Sequence, residues 1–319
     1  MTSYSLLFPG QGSQSVGMGK DLYAQFAAAK TIFDEADDIL EMALSHICFE
    51  GPAEILNNTA ITQPAVLVTS YALLKVLEEE FGQALRPTAA AGHSLGEYTA
   101  LVASGSLSFK DGLTLVQKRG SLMKSAGERS AGGMTAVIGA DVPAINVLIN
   151  KISDSTNQVL KIANDNCPGQ LVISGSPTAL QEFEEHYKES GAKFIKRLPV
   201  SVACHTPLMA DAQKKFDAIL EQTTINPSSI DVIANTTAKP IREPQEIREE
   251  LMNQLCGLIL WTQTTSLLGQ IGCMHFLEIG PGKVLCGLTK RTLPQSECVS
   301  FSSIAQLESA LQFLGDGEA

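Results

Sequence analysis

The sequence lacks any run of about 18 consecutive apolar residues, the length a helical membrane span requires. Its opening, MTSYSLLFPGQG, also lacks the basic start and long apolar stretch of an export signal. A soluble, cytoplasmic protein is therefore expected. No CxxC pair occurs among the seven cysteines (48, 167, 204, 256, 273, 286 and 298), and the odd count in 319 residues argues against a disulfide framework. Reduced, mostly buried thiols are expected instead. Positive charge is in short supply: 23 Lys and Arg against 34 Asp and Glu give a formal net charge of −11. That balance disfavours non-specific contact with nucleic acid or an anionic membrane. Two local basic clusters, Lys193/Lys196/Arg197 and Lys283/Lys290/Arg291, read as solvated faces, with an acidic partner as the alternative. There is no internal repeat and no low-complexity tract.

What is present is an ordinary globular composition, 44% hydrophobic and 18% charged, in a chain long enough for a sizeable core. YSLLF reads as a strand that runs into the Pro/Gly-rich loop PGQGSQSVGMG. Helical patterns follow at about 21–45 and 64–80, then a small-residue strand in RPTAAAGHS and a helix from about 95 to 104. Strands alternating with helices predict a mostly parallel, doubly wound α/β sheet. The middle of the chain has a different order. GGMTAVIGA (strand), DVPAINVLINKI (helix), QVLKIANDN and GQLVISGS (strands joined by CPG), PTALQEFEEHYKES (helix) and AKFIKRLPV (strand) spell βαββαβ. That is the ferredoxin-like order, so residues 130–198 are expected to be a small subdomain inserted into a large one made of 1–129 and 199–319. The large part resumes with a strand at 230–235, a helix at 245–256 and a strand at 275–280. It ends in an amphipathic helix after 302 that runs into the acidic GDGEA.

Chemistry concentrates in AAAGHSLGEYTA, residues 89–100, where Gly92, Ser94 and Gly96 form G-x-S-x-G between a strand and a helix. Such a turn strains and exposes its serine, and the following helix aims amide N–H groups at a reacting oxygen. A serine nucleophile needs a base, for which histidine is the natural choice. His46 and His186 have nothing nearby that points to chemistry, His93 adjoins the serine and is expected to pack, and His275 opens a buried strand. His205, in PVSVACHTPLM, remains, and the order serine-then-histidine suits an α/β-hydrolase arrangement. No Asp offers itself as a third member. The oxyanion would take the Leu95 amide and a second donor from PGQGSQ. A nucleotide cradle in that loop fails on detail. The dinucleotide fingerprint needs glycine where Ser15 stands, and a Walker A loop needs it at Gln14. Cys204, beside His205, lacks the elbow that would make it the nucleophile.

The segments FPGQGSQSVGMG, GHSLGEYTALVASG, QKRGSLM, GGMTAVIG, NDNCPGQLVISG, LPVSVACHTPLM and FLEIGPGKVLCGLTKR together resemble the malonyl-CoA:acyl carrier protein transacylases. The resemblance extends to polyketide-synthase acyltransferases and runs from about residue 5 to 291. It implies a hydrolase-like large subdomain with a ferredoxin-like insert, malonyl-CoA and a phosphopantetheinylated acyl carrier protein as partners, and no metal or redox cofactor. It further implies Ser94 as nucleophile, His205 as base, and Gln11 and Leu95 as oxyanion donors. Gln254 would orient the histidine through its main-chain carbonyl, which answers the missing Asp. Gln63, Asn164 and Asn166 match positions lining the same cleft. Arg119, in QKRG, would pair with the free carboxylate of a malonyl group, since a planar guanidinium grips a carboxylate bidentately and an acetyl group would leave it unpaired. QLCGLILW departs from the family, placing Leu258-Ile259 where a Pro-Val pair is usual, close to the residue that orients the base. Two alternatives stay open: a freestanding polyketide acyltransferase or acyl-thioester hydrolase, and a carrier-protein-binding module without catalysis. No long apolar surface helix declares itself, so a monomer is expected.

Overall fold

The computed structural model describes residues 3–318, so Met1, Thr2 and the Ala319 end of the acidic tail lie outside it. YSLLF forms β1 (Tyr4–Phe8), whose last four residues are buried. It lies between β2 (Ala89–Gly92), built of alanines small enough for helices to pack closely on both faces, and the strand His275–Ile279. The chain between β2 and that strand adds seven more strands. These are β3 (Gly133–Ile138), β4 (Leu160–Cys167), β5 (Gln170–Gly175), β6 (Phe194–Arg197), β7 (Asp231–Ile233), β8 (Pro240–Ile241) and β9 (Ile259–Leu260). His275–Ile279 is thus β10, and β11 is Glu297–Phe301.

Two sheets result. The larger has the order β11-β10-β1-β2-β7-β8 and is parallel except at β7–β8. In a parallel sheet the carboxyl ends of the strands share one edge, where open α/β folds hold their ligands. Here that edge carries the loop after Phe8 and the G-x-S-x-G turn after Ala91. The smaller sheet has the order β6-β3-β5-β4-β9. Its first four strands pair antiparallel, and two helices, Val142–Thr156 and Pro177–His186, supply its apolar packing. The fifth strand, β9, is the departing GLILW segment itself: Ile259 and Leu260 pair parallel with Asn164 and Asp165, tying β4 to the chain beyond His205.

Local chemistry sets the helix bounds. The pattern at 21–45 predicted one helix. Three form, Lys20–Gln25, Ala27–Leu40 and Leu44–Glu50, because Phe26 is extended and Glu41 takes a left-handed φ of 49°. Asn58 caps Thr59–Phe81, accepting from the Ala60 amide, and left-handed Gly82 ends it. That helix passes for a bilayer span by length and average composition, although no unbroken run of 18 apolar residues occurs in it. Within the protein 78% of its most apolar window is buried, so its apolar surface belongs to the core. Ser108 caps Phe109–Arg129 by accepting from Asp111 N. This helix packs on Thr59–Phe81 and carries Arg119 inward. The expectation of thiols alone also needs correction. Cys286 and Cys298 are disulfide-bonded at a Cα–Cα distance of 5.4 Å, because β11 runs beside the helix Val284–Thr292, while five cysteines are free. A spacing of 12 residues gave no sign of the pairing. The basic clusters are partly engaged: Arg197 pairs with Glu184, and Arg291 donates to Gln170 Oε1 and Pro168 O across to the smaller sheet.

Candidate active site

The G-x-S-x-G turn works because its glycines have no side chains. A Cβ on Gly92 would stand 1.9 Å from the Gly96 carbonyl, and one on Gly96 would stand 2.0 Å from Phe8 O. The helix Gly96–Ala103 thereby starts directly against β1, and Ser94 is forced to a φ of +51°. A non-glycine residue held there is strained and persists only where its surroundings fix it. Asn235, just past β7, does the fixing: Oδ1 accepts from Ser94 N at 2.7 Å, and Nδ2 donates to Gly92 O at 2.8 Å. No feature of the sequence singled out Asn235; its role depends on β7 lying next to β2.

Ser94 and His205, 111 positions apart in the chain, close to a hydrogen bond, with Ser94 Oγ 3.0 Å from Nε2. Nδ1 faces the Gln254 carbonyl oxygen at 2.9 Å, and the His205 amide donates to Leu255 O. A carbonyl only accepts, so the proton sits on Nδ1 and Nε2 presents its lone pair to the serine hydroxyl. Burial, helped by the positive charge of Arg119, lowers the His205 pKa to about 3, so the ring is neutral at ordinary pH. Cys204 lines the same cleft, but burial raises its thiol to about 11 and leaves it protonated, without a thiolate to compete with Ser94.

Arg119 is 1% exposed, an unusual place for a cation. Gly120 lets its helix approach: a Cβ there would be 2.6 Å from Thr59 O. Nη1 donates to Gln63 Oε1 at 2.8 Å, while Nη2 donates to Ser94 Oγ at 3.0 Å and to Gln254 Oε1 at 2.9 Å. All three acceptors are neutral oxygens, and the buried Nε has no partner among the described residues. The guanidinium also lies over the Tyr98 ring, 5.4 Å from its centroid. A desolvated cation with spare donors, 3.0 Å from the Ser94 hydroxyl, suits an anion.

These groups line or back a cleft of about 310 Å³ between the two sheets. Gln11, Leu95, Asn164 and Asn166 lie on its wall with Ser94, His205 and Arg119. Gln63 and Gln254 do not; both stand behind Arg119 and hold it. The Gln11 side-chain oxygen accepts from Thr59 Oγ1 at 2.7 Å, fixing the loop after β1 to the start of the helix Thr59–Phe81. His93, expected only to pack, lines the cleft as well. Its Nε2 meets Asn166 Oδ1 at 2.8 Å and its ring tilts against Trp261, so the elbow is joined to β4. Met123, Met134, Val172, Leu198 and Val200 make the rest of the wall largely apolar.

Comparison with known proteins identifies the family. The family described as acyl transferase domain matches residues 5–308. The malonyl CoA-acyl carrier protein transacylase of Bacillus subtilis is 43% identical over 314 residues, covering 98% of both chains. The solved acyl carrier protein S-malonyltransferase of Vibrio cholerae superposes with a TM-score of 0.92 at 38% identity, covering 97% of this chain and 99% of that one. A malonyl-transacylase solved in complex with a type II polyketide acyl-carrier protein superposes at 0.93 with 37% identity, covering 98% and 99%. The chain therefore belongs to the acyl transferase family that includes the malonyl CoA-acyl carrier protein transacylases.

Proposed function

We propose that this chain transfers a malonyl group from malonyl-CoA to the phosphopantetheine thiol of an acyl carrier protein, through an ester on Ser94. The observation that carries the reading is Arg119, a buried cation hydrogen-bonded only to neutral oxygens and 3.0 Å from the nucleophile. A malonyl thioester places its carboxylate two carbons from the carbonyl under attack, so one acyl group reaches both Arg119 and Ser94. Relatives named for malonyl transfer support the same assignment.

In the first half-reaction the Ser94 hydroxyl passes its proton to His205 Nε2 as Oγ bonds the thioester carbon. The amides of Leu95 and Gln11 donate to the resulting oxyanion. The C–S bond then breaks, and His205 returns the proton to the departing coenzyme A sulfur. In the second half the carrier thiol gives its proton to His205, its sulfur attacks the ester, and Ser94 leaves and is reprotonated. The Gln254 carbonyl plays the part an Asp plays in a triad, fixing the tautomer without adding charge. Every one of these groups comes from one chain, so a monomer suffices. We read residues 130–198 as the small subdomain whose β4 closes the cleft over the acyl group.

The apolar wall favours a thiol as acceptor over bulk water, which weighs against a hydrolase. Intact-mass measurement after exposure to malonyl-CoA alone should show one added malonyl group, mapping to the Ser94 peptide. Addition of a phosphopantetheinylated carrier should move that mass to the carrier. Appearance of free malonate in place of the loaded carrier would make the chain a hydrolase, and absence of any adduct would remove the ester route.

A further inference from the structure

Glu97 lies one turn past the nucleophile, fully buried, and the reaction above gives it nothing to do. Its two oxygens have separate partners: Oε1 accepts from Asn235 N at 2.9 Å, and Oε2 accepts from Gln254 Nε2. The same Gln254 Nε2 donates to Ser94 O at 2.9 Å, while Gln254 Oε1 accepts from Arg119 Nη2. The two ends of an amide side chain are nearly alike in shape and opposite in hydrogen-bonding sense. Turned over, Gln254 would set N–H against N–H at Arg119 and oxygen against oxygen at both Glu97 and Ser94.

We propose that Glu97 is a positioning residue for acyl selection, locking the Gln254 amide so that its oxygen holds the Arg119 guanidinium toward the cleft. Asn235, which clamps the nucleophile, anchors the other end of Glu97, so nucleophile and carboxylate holder share one support. Burial, and then the charge of Glu250, raise the Glu97 pKa. The acceptor role holds in either protonation state, because each oxygen keeps a lone pair for its N–H donor. This inference rests on the reading of Arg119 as the carboxylate holder.

Glu97→Gln is nearly isosteric and puts a donor where an acceptor stood, so one buried N–H must face another in the chain Asn235–97–254–Arg119. Relative to wild type, malonyl-CoA kcat/KM should fall by about tenfold or more, mainly through KM, with acetyl-CoA changed by less than about threefold. In an Arg119→Ala background the same substitution should cost nothing further, since the group it positions is gone. Equal losses for both acyl groups, unchanged malonyl transfer, or the same penalty in both backgrounds would overturn the proposal. Glu97→Ala, which removes the acceptor without adding a donor, carries the same comparison if E97Q does not fold. Failure of both variants to fold would make Glu97 structural and end the proposal. Arg119→Ala alone separates the two readings. If it lowers both acyl groups equally, the carboxylate assignment falls and this inference with it. If it is selective while E97Q is not, only the inference falls.

Discussion

The Arg119 guanidinium and the Ser94 hydroxyl are 3.0 Å apart, joined by a hydrogen bond that brings a buried cation to the nucleophile itself. An acyl group carrying its own carboxylate satisfies both contacts at once, and an acetyl group satisfies one. On the proposed reading, selectivity would follow from this geometry without a tighter pocket.

Arg119→Ala should accordingly separate the two acyl groups. Charge-assisted hydrogen bonds contribute roughly 1.5–3 kcal/mol each, so losing a bidentate pair should lower malonyl kcat/KM by roughly 10²- to 10⁴-fold. Acetyl transfer should hold or improve, because the variant no longer buries an unpaired cation beside an apolar methyl group. Steady-state rates with the two thioesters check this, and equal losses would refute the selective role.

Asn235→Ala should damage the nucleophile without touching substrate. It strips the acceptor from Ser94 N and the donor from Gly92 O, leaving a strained φ of +51° unsupported. Leaving buried backbone groups unpaired costs about 1–3 kcal/mol, so a melting point lower by several degrees is expected. Ser94 acylation, followed by rapid-quench mass spectrometry, should slow by roughly tenfold or more as the hydroxyl loses its fixed direction. Wild-type acylation in a folded variant would show that the elbow supports itself.

Gly96→Ala tests the turn from the packing side. The added methyl would sit 2.0 Å from Phe8 O and 2.9 Å from Pro9 O, in a contact between backbones that no rotamer can relieve. Overpacking by a single methyl typically costs 1–3 kcal/mol, and a clash with main chain belongs at about the upper end. The variant should melt lower than wild type or fail to accumulate as soluble protein. Normal melting together with normal acylation would mean that β1 and the Gly96 helix can separate freely.

Much of this was legible in the residues. The alternation of strand and helix, the elbow and the order β-α-β-β-α-β are local patterns, and local patterns survive in a sequence. Arg119 was legible only through a family resemblance, because a lone arginine on a helix reads as surface until Gly120 and the helix Thr59–Phe81 are seen to bury it. Asn235, Glu97 and His93 stayed hidden for a different reason. Each makes its contact across elements far apart in the chain, 73 to 157 residues from its partner. The disulfide was missed the same way, since only the packing of β11 beside its helix brings Cys286 to Cys298.

The last prediction concerns pH. A histidine near its ordinary value of 6.5 would protonate and stop working as a base between pH 7 and 5. His205 is held at about 3, by burial first and by the Arg119 charge second, so the free enzyme keeps a neutral base across that range. The acid limb of kcat/KM attributable to this residue should therefore be missing between pH 7 and 5. A bound malonyl carboxylate neutralises Arg119 and so offsets the second-largest cause of the depression, which raises the histidine pKa in the complex. Because kcat reports groups in the bound state, its acid limb should lie at higher pH for malonyl-CoA than for acetyl-CoA. The same change strengthens the base at the moment the correct acyl group arrives, so Arg119 would contribute to selection in kcat as well as in KM. Single-turnover acylation of Ser94 with the two thioesters, followed from pH 8 down to below 3, reaches both limbs. Coincident limbs for the two substrates would show that the charge of Arg119 does not reach the base.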